Sequence, residues 1–272
     1  MRKKAFALIG VIVMLLAAVV PALAITNGQP DGSNHPYVGL LVFDDAPGHP
    51  AWRCSGSLLS PTLVLTAGHC TDGAVAARVW FAEDVTYDAV PFPLYPYGGP
   101  GSGAIEGTPY TYPDFCIGCG QGLPGFATGD VGVVVLSEPA PVGAFASLAT
   151  AGLVDTLRNK TAVDLVGYGV QVQQRGVPPH QWTGLRLRLY APSELVSGKF
   201  VHSDMFMRIA LNKGGGSGGT CFGDSGGPIL LAGSNTVLAV NSYVTNYNCA
   251  GVGYSNRVDR PDILAWINGP HP

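Results

Sequence analysis

Short apolar runs rich in β-branched and aromatic residues recur along the chain, each ended by Gly, Pro, Asp or Asn. Tyr37–Phe43, Ser57–Thr66, Val131–Leu136, Ala162–Tyr168, Thr183–Leu189 and Val237–Val244 have this form, and they predict strands. One late segment has helical spacing instead. Pro261 suits a first turn, Asp262 suits its positive end, and Ile263, Leu264, Trp266 and Ile267 make one apolar face. No repeat of 20–50 residues is present. Many short strands with turn signals predict a mostly β chain, folded as a barrel or sandwich.

Two stretches break the pattern. Residues 91–129 hold seven Pro and ten Gly in 39 positions, which predicts a long decorated surface loop with Cys116 and Cys119 inside it. Gly214-Gly215-Gly216-Ser217-Gly218-Gly219 reads as a loop beside a site, because Thr220 to Pro228 follows at once. At the start, Arg2, Lys3 and Lys4 precede an apolar run from Ala5 to Val20, then Pro21 and Ala22-Leu23-Ala24. This is the layout of a secretory signal cleaved after Ala24. Its sixteen apolar residues fall short of the ~20 that span a bilayer. The expected product is secreted, extracellular and free of the membrane.

Composition narrows the functional classes. Charged residues make up 12% and hydrophobic residues 47%, with 38 Gly and 22 Pro; this excludes a coiled coil, a charged disordered chain and a nucleic-acid arm. Without residues 1–24, 12 basic residues face 18 acidic ones, so the mature chain offers no footprint for nucleic acid. Six cysteines in an oxidising compartment point to disulfides, though six allow 15 pairings. Cys116-Ile117-Gly118-Cys119 lacks a second such pair or a nearby His pair for zinc, and reads as a small local closure. No acid-rich loop argues for calcium. Neither a metal nor a cofactor is expected.

The chemistry concentrates at three places. Ser225 lies between Gly223-Asp224 and Gly226-Gly227-Pro228, a setting that lets backbone approach a carbonyl closely. The N–H groups of Gly223 and Ser225 can then converge on a developing oxyanion. His69, in Thr66-Ala67-Gly68-His69-Cys70, follows an apolar strand and supplies the base that a serine nucleophile needs. Asp130 opens the apolar run after Gly129 and can orient the imidazole. Asp114 also lies between His69 and Ser225, but no apolar strand stands behind it.

These segments, in the order His, Asp, Ser, resemble the trypsin/chymotrypsin family of serine endopeptidases. Ile25-Thr26-Asn27-Gly28 is similar to the mature N-terminus of that family, and Val166-Gly167-Tyr168-Gly169 to the strand that opens its second barrel. The resemblance implies two antiparallel six-stranded β-barrels and a short C-terminal helix. Their bounds would be residues 25–150 and 151–272, with the site in the cleft between them. It also implies pairing of Cys54 with Cys70 and of Cys221 with Cys249, and a buried pair between the Ile25 amine and Asp224. Ala24 precedes Ile25 where the family has a basic activation site, so signal cleavage itself is expected to free that amine.

In the trypsin-like members an Asp six residues before the nucleophile holds Lys or Arg; here that position is Gly219. Ser242-Tyr243-Val244 resembles the pocket wall, with Val244 where trypsin has glycine and elastases a similar valine. The resemblance therefore implies a monomer that cuts proteins or peptides after small or medium apolar residues. Two rivals are weaker. Gly-x-Ser-x-Gly is also a lipase nucleophile elbow, but that fold needs a helix after the serine and a later His; Gly226, Gly227 and Pro228 follow, and the only later histidine is His271. A non-catalytic binding relative would be expected to lack a triad member, and none is missing.

Overall fold

The computed structural model describes residues 25, 28–119, 127–170, 172–174, 181–197, 204–211 and 218–271. Residues 1–24, expected to be a signal segment, and most of the glycine run 214–219 lie outside the described residues.

Two closed antiparallel barrels of six strands each dominate. The first contains β1 (Val38–Ala46), β2 (His49–Ser60), β3 (Leu63–Thr66), β4 (Ala76–Trp80), β5 (Ile105–Thr111) and β6 (Gly132–Leu136). Around the barrel they run β1-β2-β3-β6-β5-β4, and β4 closes on β1. The second contains β7 (Ala162–Gly167), β8 (Leu189–Ser197), β9 (Phe206–Leu211), β10 (Pro228–Leu231), β11 (Thr236–Val244) and β12 (Gly251–Arg257). Its cyclic order, β7-β8-β9-β12-β11-β10, repeats that of the first. Among the described residues, closure leaves no long edge strand unpaired.

Several expected strands differ in extent. The run 57–66 is two strands, because Pro61 and Thr62 form a turn between β2 and β3. The expected strand Thr183–Leu189 is displaced: Gln181–Thr183 pairs with Val172–Gln174, and barrel strand β8 starts only at Leu189. Arg188 instead turns inward to Asp31 (2.8 Å) and to the carbonyls of Gly32 and Phe81. The Pro- and Gly-rich stretch is only in part a surface loop. β5 lies within it as a full barrel strand, and Pro109 pairs opposite Val134 there. Composition hid this strand because proline is compatible with a strand wherever its missing N–H is not called on.

The chain ties the barrels together at both ends. Gln29–Pro30 pairs with β8 of the second barrel, and the helix Pro261–Ile267 buries Ile263 and Ile267 in the core shared with the first. Trp266 of that helix packs edge-on against Tyr112, ring centroids 5.4 Å apart. At the junction Tyr168 is fully buried, and its hydroxyl donates to Ala82 O (2.7 Å). Disulfides join Cys54 to Cys70, Cys116 to Cys119 and Cys221 to Cys249. Among the described residues no helix is long and apolar enough to cross a membrane.

Candidate active site

His69 stands in a one-turn helix, Gly68–Thr71, directly after β3. The Cys54–Cys70 disulfide fastens its neighbour to β2. Asp130 enters from the loop before β6 and is fully buried. Its carboxylate accepts from the backbone N–H of His69 (2.7 Å) and faces His69 Nδ1 at 2.8 Å. Ser242, on β11 of the second barrel, donates its hydroxyl to the same carboxylate, and Asn256 Oδ1 accepts from the Asp130 N–H (3.1 Å). Asp130 is thus held from both barrels, whereas Asp114 accepts from the Tyr112 hydroxyl (3.4 Å). Burial pushes the His69 pKa down, but the charge and hydrogen bond of Asp130 outweigh it and leave the ring above its usual value.

Ser225 sits in the loop that leads into β10. Gly226 has φ +75°, and a Cβ there would lie 2.0 Å from Thr66 Oγ1, so only glycine fits. Ser55 anchors this loop from the first barrel. Its N–H donates to Ser225 O (2.8 Å) and its hydroxyl to Gly223 O (2.9 Å). Among the described residues no acceptor takes the N–H of Gly223 or of Ser225. Ser225 Oγ makes no hydrogen bond to the His69 ring; contacts of this kind often tighten only around substrate.

His69, Asp130 and Ser225 line one cavity of about 310 Å³, together with Thr220, Cys221, Asn241, Ser242, Tyr243 and Val244. Ile117, Ala127 and Phe222 line it too. Gly219 and Gly223 do not; Gly219 is buried one residue before Thr220. Ser55, Asn241, Ile117, Ala127 and Phe222 escaped the sequence reading. Ile117 and Ala127 reach the cavity where Cys116–Ile117 and Ala127–Thr128 pair antiparallel, a contact with no signature in sequence. Cys54, His69 and Cys70 place ligand-type atoms within 4.8 Å of one another, but both sulfurs are in the disulfide and offer no thiolate to a metal.

Asp224 is fully buried behind the loop, where its oxygens accept from the N–H groups of Gly169 (2.8 Å) and Cys221 (2.9 Å). The carboxyl lies so close to Gly169 that a Cβ there would come within 2.6 Å of it. Burial pushes its pKa up to about 7, against those two hydrogen bonds and the charge of Arg53. Ile25 is also buried, clustered with Val163, Leu165 and Leu189 of the second core, and is not hydrogen-bonded to Asp224. In the continuous chain its nitrogen is an uncharged amide.

The family model for trypsin matches residues 25–93 and 110–267. The chain belongs to the trypsin family of serine proteases. Similar members include brachyurin from Leptuca pugilator, 28% identical over 249 residues that cover 85% of this chain and 91% of that protein. Chymotrypsin-like elastase family member 3B from Macaca mulatta is 26% identical over 250 residues, covering 83% and 90%. Among solved structures, HL collagenase has a TM-score of 0.62 at 18% identity, covering 88% of this chain and 95% of its own. Human heparin binding protein has a TM-score of 0.59 at 16% identity, covering 90% and 97%. At such identities these structures attest the fold alone.

Proposed function

We propose that the protein is an exported serine endopeptidase, acting as a monomer on proteins or peptides through Ser225, His69 and Asp130. Ser225 Oγ attacks the scissile carbonyl while His69 takes its proton and then passes it to the leaving amine. Water, activated by His69 in turn, hydrolyses the acyl-enzyme. Asp130 holds the ring by Nδ1, so that Nε2 faces the nucleophile, and stabilises the imidazolium. The N–H groups of Gly223 and Ser225 receive the oxyanion; one such donor contributes about 3 kcal/mol to the transition state. The observation that carries this reading is the 2.8 Å contact of His69 Nδ1 with buried Asp130, at the wall of the cavity that Ser225 also lines.

Removal of residues 1–24 on export would expose the Ile25 amine. Its approach to Asp224 would give that buried carboxylate a cation and fix the oxyanion loop. Among the described residues the cavity lining has no acid suited to Lys or Arg, and Val244 limits it to small or medium side chains with apolar carbons. An irreversible serine-directed phosphonate tests the core of the proposal: it should label the wild type at Ser225, and absence of labelling would refute it. A peptide library read by mass spectrometry should show cleavage by the wild type and none by Ser225→Ala. N-terminal sequencing of the exported protein should begin at Ile25.

A further inference from the structure

The apolar walls of the cavity hide a polar end. Asn241 lines the cavity and is only 4% exposed, and neither its Oδ1 nor its Nδ2 has a hydrogen-bond partner. Directly across from it on β12, in register, stands Ser255, fully buried, with an Oγ that likewise has no partner. Residues opposite each other on paired strands share one face, with Cβ atoms about 5 Å apart. Three orphaned polar atoms therefore lie together beside the cavity. An unsatisfied buried polar atom destabilises a folded protein, and buried orphans in native folds call for a physical reason. Their place is fixed relative to the nucleophile. Gly226 N donates to Asn241 O (2.8 Å) and Asn241 N to Gly227 O (2.9 Å), so the backbone of Asn241 is strapped to the Ser225 loop. Thr220 adds another hydroxyl to the lining.

We infer that Asn241, with Ser255 behind it, selects substrates whose side chain before the scissile bond ends in a carboxamide, glutamine or asparagine. This rests on the peptidase reading above and sharpens its pocket: apolar carbons of the substrate side chain lie against Val244, and the amide reaches the polar end. A carboxamide offers a donor and an acceptor at once and satisfies both Asn241 atoms. A hydrocarbon end satisfies neither. A carboxylate has no donor for Oδ1, and among the described residues no Lys or Arg lines the cavity to neutralise it.

Peptides that differ only in Gln, Met, Leu or Glu before the cut test the inference. Gln should exceed its near-isostere Met by roughly ten- to a hundredfold in kcat/KM. Asn241→Leu should bring that ratio close to one, and Ser255→Ala should lower it about threefold. Should Asn241→Leu not fold, Ser255→Ala alone decides. In Ser225→Ala, calorimetry should show the Gln peptide bound more tightly than the Met peptide. Equal or better use of Met, Leu or Glu by the wild type, or an unchanged ratio in the variants, would overturn the inference. Tighter Gln binding without turnover would instead sink the peptidase reading and leave this one in place.

Discussion

Asp130 and Asp224 are both fully buried, one before a strand of each barrel, and their surroundings differ. Asp130 takes the His69 ring, the His69 N–H and the Ser242 hydroxyl. Asp224 accepts from two backbone N–H groups and feels the charge of Arg53, yet burial raises its pKa to about 7. The two barrels repeat one strand order, yet Asp130 faces a ring nitrogen in the continuous chain, whereas among the described residues no side chain is hydrogen-bonded to the Asp224 carboxylate. Shared topology thus places loops, while local partners decide whether a loop is ready to work.

The largest effect should come from the side of the nucleophile: Ser225→Ala is expected to lower kcat by about 10⁶ with an unchanged melting temperature. On the base side, Asp130→Asn keeps the packing but presents the wrong tautomer, and kcat should drop about 10⁴. Retention of more than a tenth of wild-type activity by Asp130→Asn would break the assignment.

Asp224 sharpens the contrast through pH. Its folded pKa is raised, so its contribution to stability is complete below pH 4 and is lost as pH rises to about 7. Denaturation of the chain that retains residue 24 should show this loss, amounting to roughly 4 kcal/mol at most. Asp224→Asn should flatten the profile, and a free Ile25 amine should abolish it. If processed and unprocessed chains gave the same profile, the pairing would be wrong.

His69 must be neutral to accept a proton. Because Asp130 holds its pKa above the usual 6.5, kcat/KM should fall as pH drops through a midpoint above that value, and Asp130→Asn should move the midpoint down. The smallest effect concerns cross-links. Replacing Cys221 and Cys249, 28 residues apart, should cost about 3–4 kcal/mol, and replacing Cys116 and Cys119, three apart, about 1–2 kcal/mol. Denaturant titration measures both.

Legibility in sequence followed the range of the interactions. β1, β6 and β11 alternate or cluster apolar residues and are bounded by turn formers, so local pattern was enough. β5 was concealed by Gly107 and Pro109, and β8 by an Arg188 whose buried partners lie on distant segments.

The residue order His69, Asp130, Ser225 and the glycines at Ser225 were legible in sequence, because each depends on residue type and near neighbours; the Cys54–Cys70 and Cys221–Cys249 pairings followed only from the family resemblance. Folding alone decided that Ser242 would reach Asp130 across 112 residues, that Ser55 would hold the Ser225 loop, and that Asn241 would lie unpartnered in the cavity wall. A hydrogen bond or its absence depends on atoms meeting at about 3 Å, and no spacing along the chain records such a meeting between two closed barrels.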